Sequence, residues 1–492
     1  MEHTFKRSTS KQIILAFLTN FSSIGPSMTL GFSAVAIPTL KTTLSQNQVT
    51  WFASMASLAA PIGCFLSGPI ADKFGRRISI LCINVTCFIG WLTIYSAYAA
   101  GSNQYLLLLL GRFLTGLSIG LSSAPAIIYM AEVSSSKYRG VFTTWGSIFF
   151  SLGILLVYML GYFLKERWGT MALISCFFPC IGMTFVLFFI PETPSWLVGK
   201  NRLEEAKENM CMIFGTKEYH PVVQSEIEGL IQAKGVKKDT TKKSIPEQML
   251  RKVKYLLKPY SLKPFGLVFT YFFFQQLSGT FVIIFYAIDI VRNAGVILDP
   301  YITIVMVALT RVVTAVLVGF LSKKFGRRPL SIVSGTGMML CMFTLACYNL
   351  LIDQGRISES LRSNLTLLPL LAVMLYFFTS TLGFLPVPFA LAAEYFPTKI
   401  RGTASGLLTG CGYIFNFLAV KIYPTMVDSM RSTGVFFFYG CTSLVGTVFL
   451  ICLLPETRGK TQEEILEYFG NKTNKTDIEE QERNFKENVT VY

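Results

Sequence analysis

The sequence predicts an all-α polytopic membrane protein. It should have twelve transmembrane helices in two pseudo-symmetric six-helix bundles, with a cytoplasmic helical linker between them. Three observations carry this prediction: an apolar composition, a row of span-length apolar stretches, and a set of motifs that occurs twice. Of 492 residues, 52% are hydrophobic, 14% aromatic and only 15% charged, with a mean hydropathy of +0.51. Soluble domains carry nearer a quarter charged residues and seldom average apolar along their whole length. A soluble enzyme, a disordered scaffold and a secreted disulfide module are thereby excluded.

Apolar stretches fall near 12–38, 48–70, 78–99, 104–131, 140–164 and 169–191, then near 264–289, 300–321, 329–352, 364–390, 402–424 and 433–454. Each reaches the roughly 20 residues needed to cross about 30 Å of hydrocarbon. The net charge of +16 invites a nucleic-acid reading, but charge placement opposes it. With a cytoplasmic N-terminus, 34 of the 44 Lys and Arg residues lie on the cytoplasmic side. Lys41, Lys165, Arg167, Arg292, Arg356, Arg362 and Arg431 lie outside, and Arg112, Arg311 and Lys421 lie within spans. That asymmetry follows the positive-inside rule and places both termini in the cytoplasm.

The eleven cysteines sit almost wholly in or beside spans, so no disulfide framework is expected. Neither their spacing nor the two cytoplasmic histidines, His3 and His220, forms a metal-ligand pattern. Neither a nucleophile elbow nor a phosphate-cradling glycine loop is present, so no enzyme activity and no cofactor are expected.

The repeat sets the organisation. Gly68-Pro-Ile-Ala-Asp72-Lys-Phe-Gly75-Arg76-Arg77 follows the second span, and Gly319-Phe-Leu-Ser-Lys323-Lys-Phe-Gly326-Arg327-Arg328 follows the eighth. Glu132 with Arg139-Gly140 recurs as Glu394 with Arg401-Gly402, and Pro191-Glu192-Thr193 recurs as Pro455-Glu456-Thr457. Three matched pairs in one order define a first bundle over 1–191 and a second over 264–460. Parallel repeats with a central site between them are a transporter architecture. Residues 192–263 form the linker, where Arg202–Phe214 places Leu203, Ala206, Met210 and Ile213 at helical spacing. The linker is read as solvated, with a helical cap latching the two halves as the alternative. A charged tail over 461–492 holds one short helix.

These residues, with Gly111-Arg112, Pro125-x-x-x-Tyr129-x-Ala-Glu132, Pro191-Glu-Thr-Pro-Ser-Trp196, Gln275-Gln276-Leu-Ser-Gly279 and Pro386-Val-Pro388, resemble the sugar porter family of the major facilitator superfamily. The resemblance runs from about residue 20 to 465 and is nearest to insect facilitated trehalose transporters. It implies the major facilitator fold and facilitative transport of a small sugar, hexose or trehalose, across the plasma membrane by alternating access. A lipid bilayer is the setting, and no protein partner is implied.

Acids Asp72, Glu132, Glu192, Glu394 and Glu456 and bases Arg76, Arg77, Arg139, Arg327, Arg328 and Arg401 gather at the cytoplasmic span ends. Arg–carboxylate pairs at such a boundary can join helices, and pairs that form in one state and part in another make a gate. The resemblance implies that these pairs close the cytoplasmic side in the outward-facing carrier. Snorkelling into headgroups is the structural alternative. The second copy departs from the family by carrying Lys323 where an acid is usual.

In the seventh span Gln275, Gly279 and Tyr286 share one stripe, with Gln276 beside it. Side-chain amides both donate and accept, which suits sugar hydroxyls, although they also glue helices together. Ser278-Gly279 permits a break, and Tyr286 above it is placed as an outer lid. The resemblance assigns Gln275 and Gln276 to sugar contact, and Asn416 matches a family asparagine and is a further candidate, with plain packing as the alternative. Tyr413 and Phe389 replace family tryptophans, Ser147 a glutamine, and Phe281 and Arg311 asparagines. Arg311 stands about 15 Å deep and must be paired or face water. It either hydrogen-bonds sugar hydroxyls or helix carbonyls, or supplies a counter-charge to an anionic substrate. Asp289 lies too near the outer end of its span to pair with it directly.

Proton-linked relatives carry an aspartate in the first span, where this chain has Ser33. Facilitated diffusion is therefore expected, with proton coupling through Asp289, or a nutrient sensor that moves nothing, as alternatives.

Overall fold

The computed structural model describes residues 2–100, 104–134, 136–215, 221–235, 256, 259–356, 365, 367–396, 400–460 and 462–470. Every regular element among them is helical. Span 1 is α1 (Glu2–Phe21) with α2 (Ile24–Leu40), span 2 is α3 (Gln46–Phe74), and span 3 is α4 (Arg76–Ala100). Span 4 is α5 (Gln104–Leu121) with α6 (Pro125–Val133), span 5 is α7 (Ser136–Leu164), and span 6 is α8 (Trp168–Ser175) with α9 (Phe177–Phe188). The linker holds α10 (Pro194–Gly199), α11 (Leu203–Phe214) and α12 (Pro221–Gly235). Span 7 is α13 (Pro259–Leu277), α14 (Val282–Phe285) and α15 (Ala287–Asn293), followed by spans 8 and 9, α16 (Pro300–Phe325) and α17 (Arg327–Asp353). Span 10 is α18 (Leu368–Leu382) with α19 (Val387–Glu394). Beyond it run α20 (Arg401–Leu453) and a short α21 (Gln462–Tyr468).

Among the described residues, eleven helical segments are long and apolar enough to cross a membrane. One of them, α20, has 53 residues, about 80 Å of helix against about 30 Å of hydrocarbon. It cannot be one span. At Arg431 the backbone leaves the helical region (φ 57, ψ 173) and divides it into spans 11 and 12, giving twelve in all.

Spans 1, 4, 7 and 10, the first of each successive three-helix unit, are broken at Ser22–Ser23, Ser122–Ala124, 278–281 and 383–386. Inside lipid every freed backbone group needs a partner, so such breaks survive only where they face protein or a wet cleft. The halves meet along two seams, span 2 on span 11 and span 5 on span 8. Renumbering by six exchanges these two seams, as a pseudo-twofold relation requires. Within the first half, spans 2 and 4 pack backbone to backbone, because Gly116 and Gly120 sit directly against Ala56 and Ala60. Bulky side chains such as Leu106, Phe163, Phe188 and Phe320 point outward on the lipid-facing surface.

The amphipathic reading of the linker helix is realised in α11, which buries Ala206, Met210, Cys211 and Ile213 but leaves Leu203 exposed. The helix docks on the first half: Lys11 Nζ donates to Met212 O (2.9 Å), and Asn209 Nδ2 donates to Glu192 O (3.0 Å). Under the second half, Phe469 beyond α21 packs against Tyr395.

Candidate functional site

At the linker end the duplicated motifs assemble twice in the same way. Glu192 accepts from the backbone N–H groups of Arg76 (2.9 Å), Arg77 (3.1 Å) and Thr193 (2.9 Å), capping the start of span 3. Glu456 does the same for Arg327 (3.1 Å), Arg328 (3.0 Å) and Thr457 (2.9 Å) at span 9. The glycines before the arginines are required by this contact. Gly75 and Gly326 have φ of +103° and +85°, and a Cβ on either would collide with the capping carboxylate. Burial pushes the Glu192 carboxyl up, while the three backbone donors act in the opposite sense.

The first arginine of each pair reaches the acid of the motif that follows it in the chain: Arg76 Nη2 to Glu132 (2.8 Å) and Arg327 Nη2 to Glu394 (2.9 Å). The second caps carbonyls at the end of the last span. Arg77 donates to Val186 O (3.0 Å) and Leu187 O (2.5 Å), and Arg328 donates to Ile451 O (2.7 Å). Each cluster thus staples three span ends of its own half. Asp72 is exposed and stands 3.7 Å from Arg76, and Arg401 donates only a long bond, to Phe396 O (3.4 Å). The side chains of Arg139 and Lys323 lie outside the described residues. No ion pair crosses between the halves at this end among the described residues.

At mid-depth, span 7 breaks where Ser278-Gly279 allows it. Gly279 adopts φ +86° with the Tyr439 ring against its Cα, and Tyr376 Oη donates to the freed Ser278 carbonyl (2.8 Å). Just below, a buried chain of amides forms. Gln275 Nε2 donates to Phe384 O (2.9 Å) and Leu385 O (2.8 Å) in the span 10 break, and Gln276 Nε2 donates to Gln275 Oε1 (3.1 Å). Asn416 Nδ2 donates to Gln276 Oε1 (2.9 Å), and Ser57 Oγ donates to Asn416 Oδ1 (2.5 Å). Ser57 belongs to span 2 and Asn416 to span 11, so the chain links the two halves.

The remaining predicted contacts make none of the hydrogen bonds of this chain. Phe389 meets Phe272 edge-on (4.9 Å between centroids), Tyr413 and Phe281 are buried, and Ser147 is exposed. Tyr286 stacks against Tyr423 (4.7 Å) above the break, and its hydroxyl has no partner among the described residues.

Among the described residues, two arginines are buried in the membrane-spanning body, and they differ. Arg112 is fully satisfied, donating to Phe52 O, Thr29 O, Ala53 O and Ser33 Oγ (2.6 Å for the last) and lying over the Phe52 ring. Arg311 is 2% exposed, and its Nε and Nη1 have no hydrogen-bond partner among the described residues. Its one described contact of note is the Phe150 ring of span 5, 5.8 Å away. The threonines on its helix do not help: Thr310 and Thr314 bond carbonyls four residues back. Nor does Asp289, which is held by Lys41 (2.8 Å).

That Lys41–Asp289 pair belongs to a set of contacts that sequence reasoning missed. At the end remote from the linker, Lys165 approaches Asp299 (3.6 Å) and Gln46 Nε2 donates to Asp428 (2.8 Å). Lys421 Nζ donates to Thr50 Oγ1 (2.8 Å) and sits 4.1 Å from the Trp51 ring centre, and Tyr158 Oη donates to Ile284 O (2.8 Å). All five join one half to the other. The Lys41–Asp289 and Gln46–Asp428 contacts, with Thr50, line a cavity of about 490 Å³ together with Tyr286 and Tyr423 among others. The signal available in the sequence was the three lysines standing outside the basic cytoplasmic pattern.

Comparison with known proteins fits this geometry. Facilitated trehalose transporters Tret1 of Drosophila virilis and Drosophila willistoni are 29% and 31% identical over 92% and 89% of this chain. The chain spans about half the length of these relatives, 48% and 49% respectively. The Culex quinquefasciatus protein of the same name is 28% identical, with 94% of this chain and 87% of the relative covered. Among solved structures, the xylose transporter XylE from E. coli in a partially occluded inward open conformation superposes with a TM-score of 0.74. That match is 20% identical and covers 92% of this chain and all of XylE, so it speaks to the fold. The model of the family described as "Sugar (and other) transporter" matches residues 3–469, and the chain is a member of that family.

Proposed function

We propose that the protein is a facilitative sugar carrier that works by alternating access. One observation carries the reading: among the described residues, the polar contacts between the halves are concentrated at one end and at mid-depth. The remote end is latched by Lys41–Asp289, Lys165–Asp299 and Lys421–Thr50, whereas the ion pairs of the linker end stay within each half. A cleft closed at one end and free to part at the other is one of the two states an alternating carrier needs. With the basic linker end in the cytoplasm, this is the inward-facing side of the cycle.

The staples at Glu132, Glu192, Glu394 and Glu456 keep each half rigid as it rocks. In the opposite state the linker ends approach, and Asp72, Arg139 and Arg401, least engaged or outside the described set here, supply contacts across the seam. At mid-depth a sugar exchanges its hydroxyls for the internal bonds of Gln275, Gln276 and Asn416, each of which both donates and accepts. Because Ser57–Asn416 crosses the seam, a sugar that competes for Asn416 weakens a link between the halves, which couples binding to reorientation. Phe389 and Tyr413 offer ring faces to the sugar, and Tyr286 closes over it.

Coupling to protons needs a titratable group in the pathway. Here the Arg112 guanidinium donates to a hydroxyl and carbonyls rather than to a carboxylate, and Asp289 is engaged at the outer rim. Uniport follows. The relatives' printed activity, facilitated trehalose transport, supports a disaccharide as cargo. The test is uptake of labelled trehalose and glucose by purified protein in proteoliposomes. Flux should persist when an ionophore collapses the proton gradient and should stop at equal concentrations. Accumulation beyond equilibrium would contradict uniport, and absence of flux for every sugar would contradict the carrier.

A further inference from the structure

The two buried arginines pose a chemical problem that only one of them solves internally. Arg112 spreads its charge over three carbonyls and a hydroxyl. Arg311 is as deeply buried, yet two of its three nitrogens donate to nothing and no carboxylate lies within ion-pair distance among the described residues. A guanidinium in a low-dielectric interior without a counter-ion is costly, and a ring face 5.8 Å away offsets little of that. The position is the seam itself. Arg311 projects from span 8 toward Phe150 of span 5, within electrostatic reach of Tyr158, whose hydroxyl holds the broken segment of span 7. It therefore stands at a contact that the two halves share.

Resting on the carrier reading above, we infer that Arg311 is the receptor for a carboxylate on the transported solute, so that the protein carries a monoanionic polyhydroxy acid, a sugar acid, as well as or in preference to neutral sugars. The guanidinium supplies the charge and donors for an oxyanion, and the amides Gln276 and Asn416 supply the donor–acceptor pairs for hydroxyls. Asp289 would repel such a solute were it free, but Lys41 neutralises it at the rim. Binding removes the uncompensated charge, so the loaded carrier is electrically neutral at Arg311 and the empty one is not. Movement of a monoanion by a uniporter is electrogenic, so an inside-positive potential should drive uptake.

The experiment compares labelled D-glucuronate and D-glucose uptake in proteoliposomes, under a potassium–valinomycin clamp, for wild type, Arg311→Gln and Arg311→Lys. In wild type, glucuronate uptake is saturable and rises with inside-positive potential. In Arg311→Gln the ratio of glucuronate to glucose flux falls at least tenfold, and in Arg311→Lys it falls less. Thermal unfolding in detergent supplies a readout independent of transport, since glucuronate should raise Tm in wild type and not in Arg311→Gln. Glucose flux without glucuronate flux or a glucuronate Tm shift overturns this inference and leaves the carrier standing. An unchanged flux ratio in a folded Arg311→Gln protein also overturns it. Flux of trehalose with flux of neither probe overturns this inference alone, and absence of flux for trehalose, glucose and glucuronate together overturns the carrier reading with it.

Discussion

Replacing Lys421 with methionine tests the latch at the remote end while keeping the side chain's length. Lys421 Nζ bonds Thr50 Oγ1 at 2.8 Å and Asn47 Oδ1 at 3.3 Å, and lies 4.1 Å from the centre of Trp51, all across the seam. A hydrogen bond from a charged donor contributes about 1.5–3 kcal/mol, and a cation–π contact about 0.5–2 kcal/mol depending on desolvation. The site is only half-buried, and the ammonium regains water when the latch opens, so the net loss is placed at about 1.5 kcal/mol. That corresponds to about a tenfold fall in the ratio of remote-end-closed to remote-end-open molecules. Fluorophores on cysteines at Thr43 and Ser429, introduced into a cysteine-free background, report the separation of the halves by single-molecule energy transfer. Lys421→Met should enlarge the long-distance population by about that factor, and Lys421→Arg should not. A distribution unchanged within twofold in a folded Lys421→Met protein would refute the latch.

Other substitutions follow from the same geometry. Gly279→Ala forces a side chain into a φ of +86° and to within 2.6 Å of Tyr439, so flux should collapse together with thermal stability. Gln276→Ala leaves Asn416 Nδ2 without its acceptor, at a cost of about 1–3 kcal/mol, and should raise the KM for sugar about tenfold or more in uptake assays. Ser33→Asp sets a titratable acid against Arg112, and sugar uptake that is insensitive to pH in the wild type should then respond to it. Glu132→Gln removes the charge facing Arg76 and should lower Tm in detergent through loss of about 1–3 kcal/mol, without abolishing insertion.

The sequence made the duplicated bundle legible because the stapling motifs are local and repeat in order. Gly75-Arg76-Arg77 and Gly326-Arg327-Arg328 declare span ends by composition alone, and Ser278-Gly279 declares a break. The same patterning could not say which helices the staples join. Glu132 and Arg76 gather at the same span ends, but nothing in their spacing fixes that they pair, or that the pair lies within one half. The remote latch was less legible still. Lys41 and Asp289 lie 248 residues apart, and Gln46 and Asp428 lie 382 apart, with no motif to join them. Ser57 escaped notice because one hydroxyl in an apolar helix is ordinary until its partner, Asn416, is located. Arg311 stood out for its depth, and only the placed neighbours separate it from the satisfied Arg112.

The claim on which the account rests is that the halves must part at the remote end in every transport cycle. Cysteines replacing Lys41 and Asp289 in a cysteine-free carrier, bridged by a short bifunctional thiosulfonate and later released with dithiothreitol, test it directly. Sugar flux in proteoliposomes should stop on bridging and return on reduction. Full flux through the bridged protein would contradict alternating access at this seam.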